Sequence, residues 1–116
     1  MFVLYYYNID IIELLNKKAD FNANLKDKHG YTALITTSKH VDVVNVLLLN
    51  KNTDVNLKDK AEKTALMLAS RYGYIDVVNL LLDNNDNVNL QCNNGWTAYD
   101  IAKPDEIKKL LKKEES

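Results

Sequence analysis

Short runs of apolar residues, spaced three and four positions apart, recur along the chain and are separated by polar segments. After Thr64 one such run predicts a short helix, whose apolar face comprises Ala65, Leu66, Leu68 and Ala69. The hydroxyl of Thr64 can accept a backbone N–H of the first helical turn, so this residue is predicted to be the N-cap. Residues 71–74, which include a glycine, are predicted to end the helix.

A second helix is predicted over residues 75–83, with a stripe of branched apolar residues on one side. That stripe comprises Val77, Val78, Leu81 and Leu82. Asn84 and Asn85 are predicted to end this helix, because asparagine tolerates the left-handed conformation that often closes one. Beyond it, residues 87–96 combine alternating apolar positions with a turn-forming sequence, which predicts an extended finger with a tight turn.

This pattern repeats along the chain at intervals of 32 and 33 residues. The recurring tripeptides are Thr32-Ala33-Leu34, Thr64-Ala65-Leu66 and Thr97-Ala98-Tyr99. A helix of about nine residues is marginal alone, and one helix pair cannot bury both of its faces. We therefore expect the copies to stack side by side as a solenoid, with each apolar stripe buried against the next copy.

Further motifs keep the same frame. They are an Asp-x-x-Gly turn at residues 27–30, a Val-rich second helix after Gly73, and the closing segments Asp54-Val55-Asn56 and Asn87-Val88-Asn89. In this combination the chain resembles the ankyrin repeat family from about Asp10 to Leu111. The resemblance implies an all-α solenoid of stacked helix-turn-helix units with β-hairpin fingers, in three to four repeats of which the first is truncated. We predict a single domain over residues 1–116, with approximate units 1–24, 25–56, 57–89 and 90–113 and a tail at 114–116.

Several positions depart from the family pattern. The family's histidine is replaced by Ile35, Met67 or Asp100, and the missing hydrogen bonds are expected to cost stability rather than topology. Glu62 stands where the other fingers have glycine, which predicts strain if a positive φ is kept. The turn between the two helices is two residues shorter in the copy that begins at Thr32.

The two ends of the predicted array differ. Residues 1–7 are apolar and too short for a complete first helix, so they would leave an unfinished stacking face. Either this edge binds something or the chain is cut from a longer array. At the other end, Pro104 and the acids after it favour a helix start, and several lysines would solvate the last helix as a capping repeat requires.

Composition narrows the functional classes. The 116 residues suffice for one domain, and a net charge of −1 gives no overall attraction to nucleic acid or acidic membranes. No apolar run approaches the roughly 18 residues of a membrane span. The single cysteine excludes an internal disulfide and suits a reducing, cytoplasmic compartment, with delivery into a host cell left open.

No catalytic constellation, cofactor loop or metal site is evident in the sequence. The three glycines are isolated at turns, and His29, His40 and Cys92 lack the spacing of a zinc site or of a nucleophile with its base. Asp27 and Asp59 are better explained as turn caps than as metal ligands. We therefore expect no enzyme activity, no cofactor and no bound metal.

The family resemblance implies where a partner would bind. In ankyrin proteins the fingers and the outward faces of the first helices form a groove, and recognition uses positions between the framework residues. The matching finger positions are Lys28, His29, Tyr31, Lys60, Ala61, Lys63, Asn93, Asn94 and Trp96. The matching first-helix positions are Lys39, His40, Arg71 and Tyr72. The resemblance assigns backbone bonding at the base of the fingers, with hydroxylation left open, to Asn24, Asn56 and Asn89.

Trp96 and Tyr31 are the expected anchors, because aromatic residues contribute disproportionately to interfaces. The alternative is that each ring packs on the neighbouring finger. The lysines would make the groove basic and favour an acidic segment on the partner, unless they are ordinary solvated residues.

The leading functional hypothesis is a protein–protein interaction module that binds a partner protein through this groove without catalysis. The alternative is a structural fragment or spacer of a larger repeat array, which the uneven N-terminal edge supports. Neither a nucleic acid nor a membrane is expected as a partner. We expect a monomer unless the apolar N-terminal edge pairs.

Overall fold

The computed structural model describes residues 17, 22–84 and 87–115, with the backbone alone for 113–115. The predictions for the apolar segment 1–7, for the helix at residues 10–15 and for Asn85 lie outside the described residues. The described part contains six helices, in three pairs. They are α1 (Ala33–Thr36), α2 (Val41–Leu48), α3 (Ala65–Tyr72), α4 (Ile75–Asn84), α5 (Ala98–Ile101) and α6 (Asp105–Glu115). No helix in this part of the chain has the length and apolar character needed to cross a membrane.

The first helix of each pair begins at a threonine cap, as predicted. The hydroxyl of Thr32 accepts the backbone N–H of Ile35 at 3.2 Å, and that of Thr64 accepts the N–H of Met67 at the same distance. Thr97 forms a reciprocal capping box, because the Asp100 carboxylate also accepts the backbone N–H of Thr97 at 3.0 Å. In the third copy Asp100, which stands in place of the family's histidine, thus accepts a backbone N–H that the other two caps leave without this partner.

The helices form two layers. The first helices α1, α3 and α5 pack in one layer and the second helices α2, α4 and α6 in the other, each against its neighbour along the chain. Val44 and Leu47 of α2, and Val78 and Leu81 of α4, are at most 1% exposed. The apolar stripes therefore meet between copies, which confirms the predicted solenoid.

The prediction of a shorter turn between the helices of the first copy is wrong, because that turn has four residues (37–40) where the next copy has two (73–74), and it is the first helix that is shorter. Helix α1 has four residues where α3 has eight. Thr37 closes α1, because its backbone N–H and its hydroxyl both donate to the carbonyl of Ala33, at 3.1 and 2.8 Å. Helix α3 instead continues to Tyr72 and ends at Gly73, whose φ of 78° is left-handed.

The fingers are tight turns rather than the predicted β-hairpins, since no strand is formed in the ranges that the structure describes. In each finger one backbone hydrogen bond closes the turn. The N–H of Asp27 donates to the carbonyl of Tyr31 at 3.0 Å, and the N–H of Asp59 donates to the carbonyl of Lys63 at 2.9 Å. A second bond runs from the glycine position back to the first turn residue, as from Gly30 to Asp27 at 3.0 Å. The arms are too short for further ladder bonds, so the turn determines their conformation.

The second finger stores the predicted backbone strain. Glu62 has a φ of 64°, whereas Gly30 and Gly95 take the equivalent positions in the other fingers at 80°. We expect Glu62→Gly to raise the free energy of unfolding by about 1 kcal/mol, because glycine adopts this conformation without a steric cost. Urea denaturation followed by circular dichroism measures the change.

The matched control for this prediction is Glu62→Ala. It removes the ion pair with Lys58, whose Nζ lies 3.5 Å from the glutamate, but it keeps a side chain at the strained position. An exposed pair of this kind contributes little, so the alanine variant should gain no stability. Equal gains in both variants would show that the ion pair, and not the backbone, was responsible.

Candidate functional site

The three finger turns form one edge of the molecule and carry most of the predicted partner-binding residues. Tyr31 is 39% exposed and Trp96 is 51% exposed. Lys63, at the corresponding position of the middle finger, is half-buried. Five further finger side chains are exposed, namely Lys28, His29, Lys60, Asn93 and Asn94. Most of the finger residues predicted to bind a partner are thus exposed, and backbone hydrogen bonds join the adjacent fingers that carry them.

Aspartates hold the first two fingers in shape. The Oδ1 atom of Asp27 accepts the backbone N–H groups of His29 and Tyr31, at 2.8 and 2.9 Å. Asp59 accepts those of Ala61 and Lys63, both at 2.9 Å. These carboxylates are turn caps, as the sequence indicated.

The third finger is built differently. Its first turn residue is Cys92, a buried free thiol that has no carboxylate to accept backbone N–H groups. The Trp96 carbonyl still accepts the backbone N–H of Cys92 at 3.0 Å, so the turn retains its closing pair. Cys92 therefore acts as a small apolar side chain under the finger that carries Trp96.

The Asp27 cap is sensitive to pH. The backbone N–H of Tyr31, with a smaller contribution from that of His29, holds the pKa of the Asp27 carboxyl below its ordinary value of 3.8. A lowered carboxyl pKa stabilises the folded protein above the unfolded-state pKa, and this stabilisation is lost as the pH falls through the folded-state pKa. Asp27→Asn should therefore be less stable than the natural chain at pH 5 to 7, and this difference should shrink below pH 3.8.

Thermal unfolding across this pH range checks the Asp27 prediction. Asparagine keeps the accepting oxygen but does not titrate, so it isolates the effect of the charge. Asp83→Asn is the control, because Asp83 is an exposed carboxylate at the end of α4, outside the fingers. A stability difference between the natural chain and Asp27→Asn that stayed constant from pH 7 to pH 2.5 would contradict the argument.

The prediction that Lys39 and His40 lie on a first helix is wrong. Helix α1 ends at Thr36, so both residues lie in the turn before α2, where His40 is the N-cap. Helix α1 is four residues shorter than α3 and the turn after it is two residues longer, so positions that would have continued the helix form the turn. Burial, with a smaller effect of the Lys39 charge, lowers the pKa of His40 from its ordinary 6.5.

Arg71 and Tyr72 do lie on a first helix, in the last turn of α3. The Arg71 guanidinium carbon is 5.8 Å from the centre of the Tyr72 ring, and that ring stacks on Tyr74 at 6.0 Å. Tyr72 is 60% exposed. Because α1 is one turn shorter than α3, this cationic and aromatic group extends past the end of the neighbouring first helix.

Two lysines that sequence analysis did not single out connect the fingers to one another. The Lys26 ammonium donates to the carbonyl of Lys58 at 2.8 Å, and the Lys58 ammonium donates to the carbonyl of Gln91 at 2.9 Å. Their recurrence in frame could not have identified them as structural, because Lys28 and Lys60 recur in the same frame. The fingers therefore contain two lysines whose ammonium groups bind the backbone of the next finger, although Lys26 is itself exposed.

Of the repeated asparagines predicted to bond to the backbone, Asn24 does so, whereas the Oδ1 atom of Asn56 is buried without a hydrogen-bond partner in the described part of the chain. The side-chain N–H of Asn24 donates to the carbonyl of Asn52 at 2.6 Å, and its oxygen accepts the N–H of Asp54 at 2.7 Å. The side chain thereby bridges the start of one finger to the segment that leads into the next. This is a structural role at the base of the finger, as the family resemblance implied.

Charged residues of both signs lie in both parts of the repeat. The fingers carry Lys60 and Lys63 but also the exposed Glu62. The second helices α2 and α4 begin with Asp42 and Asp76. A carboxylate in the first turn of a helix is favourable because the backbone N–H groups there carry partial positive charge, so helix stability explains these two acids.

Comparison with known proteins agrees with this architecture. A family model described as ankyrin repeats (3 copies) matches residues 36–115. No curated protein matches the sequence. The crystal structure of the ankyrin repeat domain of Bcl-3, described as a unique member of the IkappaB protein family, superposes with a TM-score of 0.87 at 20% sequence identity. That match covers 94% of this chain and 48% of the other, so this chain spans about half the length of that structure. Since the family model spans more than half of the chain and the fold agrees, this chain belongs to the ankyrin repeat family.

Proposed function

We propose that this protein binds a partner protein through the groove formed by its fingers and the outward faces of its first helices. Ankyrin repeats generally serve as protein–protein interaction modules, and their fold is typically a non-catalytic scaffold. The observation that carries the proposal for this chain is the exposure of Trp96 and Tyr31 on one edge. Two large aromatic side chains left half in water are a cost in a monomer and a source of affinity at an interface.

The framework does not need these side chains. The fingers are held by backbone bonds, by aspartate caps and by the bridging lysines, so the outward groups at positions such as 31, 60 and 96 are available for recognition. Tyr31 also contacts the ring of His29, with centroids 5.8 Å apart, which orients it without burying it. Recognition residues on a rigid frame lose little entropy on binding.

We further propose that the partner presents an acidic segment. Lys28 and Lys60 are exposed in the first two fingers, and Arg71 adds a further cation at the last turn of the first helix α3. Opposite charge on a partner accelerates association and fixes its orientation, and this effect weakens as salt is added. Binding in a cytoplasmic compartment as a monomer is the simplest accompanying proposal, since the sole thiol, Cys92, is buried and unpaired.

The test is a comparison of binding by two variants. The natural chain is immobilised, the captured partner is purified, and its dissociation constant is measured by calorimetry. The double variant Tyr31→Ala and Trp96→Ala should bind at least about tenfold more weakly, because interface aromatics commonly contribute more than about 1.4 kcal/mol each.

The matched control is Leu49→Ala, which removes an apolar side chain that is 74% exposed but lies after α2, in the other layer. It should leave the dissociation constant unchanged. If the double variant remained folded and retained every partner, the finger edge would not be the binding surface. The alternative, a structural spacer within a larger array, would then be favoured.

A further inference from the structure

One row of side chains on the finger edge follows the repeat of the fold. Tyr31, Lys63 and Trp96 occupy the same place in successive copies, directly before the threonine that caps each first helix. In each finger the carbonyl of this residue accepts the closing bond of the turn. Because the backbone at these positions is fixed in the same way three times, the row is regular: aromatic, cationic, aromatic.

The spacing of the row follows from the bonds between fingers. The backbone N–H of Lys60 donates to the carbonyl of His29 at 3.4 Å, and that of Asn93 donates to the carbonyl of Ala61 at 3.2 Å. Adjacent fingers are therefore in direct backbone contact, and each finger is itself two chain segments wide. Two hydrogen-bonded spacings of about 4.8 Å place equivalent residues roughly 10 Å apart. The packing of neighbouring helices at about 8–10 Å gives a similar interval.

We infer that this row recognises an extended segment of the partner in the polyproline II conformation, with apolar residues, preferably proline, at its first and seventh positions and an acidic residue at the fourth. The inference rests on the proposed function and specifies the chemistry of the partner. In polyproline II every third residue lies on the same side, about 9.3 Å apart, which matches the row. A β-strand does not match, because its residues i and i+3 point to opposite faces.

The chemistry of each position fits such a segment. Tyrosine and tryptophan rings offer flat apolar faces for proline, which is how aromatic grooves bind proline-rich segments in general. The Lys63 ammonium makes no ion pair with any acid in the described residues, so a partner carboxylate can approach it. The backbone of polyproline II has no internal hydrogen bonds, and the exposed donors of Lys28, Lys60 and Asn94 flank the row.

An α-helical partner is the competing geometry. Residues i and i+7 of a helix lie about 10.5 Å apart on one face, so a helix would need 15 residues to span the row where polyproline II needs seven. An isolated helix of that length is marginal in water and would have to be ordered on binding. Its backbone carbonyls are paired internally, so the flanking donors of the fingers could bind only its side chains or water, whereas polyproline II offers its carbonyls. The row therefore favours polyproline II.

Trp96 makes the experiment direct, because it is the one tryptophan of the sequence. The probe is the capped peptide Pro-Ala-Pro-Glu-Pro-Ala-Pro, titrated into the full chain at low salt while tryptophan emission is recorded. We expect a saturable change in emission, since the ring is half-exposed and would become covered. A peptide of the same composition with the glutamate moved to the third position should bind at least about tenfold more weakly.

A charge exchange tests the central position. Lys63→Glu should weaken binding of the glutamate peptide at least about tenfold and should bind the corresponding lysine peptide instead. The control Lys103→Glu makes the same charge change at an exposed residue before α6 and should alter binding less than twofold. Rescue by the lysine peptide excludes misfolding as the cause of the loss.

Equal binding of the two glutamate peptides, absence of any emission change, or tighter binding of a 15-residue helical peptide with the same side chains seven apart would each overturn the inference. These outcomes are distinguishable from failure of the proposed function. If the purified partner still bound in a Trp96-dependent manner while the heptapeptides did not, the function would stand and the inferred conformation of the partner would be wrong.

Discussion

Replacing Leu47 with alanine is expected to lower the free energy of unfolding by about 3 kcal/mol. The side chain is completely buried in α2, in the layer where α2 packs against α4. Its removal forfeits the transfer free energy of three carbons and leaves a cavity that rigid neighbouring helices fill incompletely. Urea denaturation monitored by circular dichroism measures the change, and the fitted midpoint should fall with little change in slope.

The control for Leu47 lies two residues away. Leu49 follows α2 and is 74% exposed, so Leu49→Ala should change the free energy of unfolding by no more than about 0.5 kcal/mol. The two substitutions delete the same atoms, and their difference therefore reports burial alone. If Leu49→Ala lowered the free energy of unfolding more than Leu47→Ala did, the described packing of α2 against α4 would be contradicted.

A solenoid makes the consequence of the Leu47 substitution local. In a stack of this kind each unit contacts its neighbours, so stability is close to a sum of unit and interface contributions. The weakened interface joins the pair α1 and α2 to the pair α3 and α4. Amide exchange should accelerate most in α1 and α2, whereas α5 and α6 should retain more protection.

The helical part of this architecture could be predicted because its determinants are local. A threonine before an apolar run specifies the start of a helix, and the three caps form as expected. The spacing of Val77, Val78, Leu81 and Leu82 predicted the apolar face of α4, and the first three are buried while Leu82 is partly buried. Repetition at 32 and 33 residues then indicated the stacking. The caps and the buried face needed only neighbours within one or two turns, and the stacking needed the comparison of whole copies.

Other features depended on contacts that the sequence does not display. The sequence shows that the interval from the start of the first helix to the start of the second is shorter in the first copy. It does not show that α1 lacks the last turn present in α3, and for this reason Lys39 was predicted on a helix but lies in a turn. The alternation of Val88 and Leu90 predicted an extended finger. A single backbone hydrogen bond closes the turn, however, and no β-ladder forms there within the described residues.

The same limit applies to the candidate site. Frame positions identified the residues that vary between copies, and most of those in the fingers are exposed. Their surroundings could not be derived, because they depend on other copies. Lys26 and Lys58 lie two positions before Lys28 and Lys60. The ammonium groups of Lys26 and Lys58 donate to carbonyls of the next finger, whereas those of Lys28 and Lys60 make no such bond within the described residues.

The contact between fingers leads to the second large prediction, which concerns two glycines with the same backbone conformation. Gly30 and Gly95 both have a φ of 80°. A Cβ atom at Gly30 would lie 2.9 Å from the backbone nitrogen of Lys60 and 3.2 Å from the Cα of Asp59, whereas one at Gly95 would have nothing within 4 Å. Gly95→Ala should therefore lower the free energy of unfolding by about 1 kcal/mol and Gly30→Ala by about 3 kcal/mol.

The two glycine variants control for each other, because both impose a left-handed conformation on alanine. The free energy of unfolding that Gly30→Ala loses beyond the loss in Gly95→Ala measures the cost of separating the first two fingers, which are joined by the bond from the Lys60 N–H to the His29 carbonyl. Urea denaturation of both variants measures it. Equal losses would mean that the fingers separate without cost, and the 10 Å interval inferred for the recognition row would then lack its structural basis. A larger loss at Gly30 would instead support a finger edge in which neighbouring turns are held at a fixed distance.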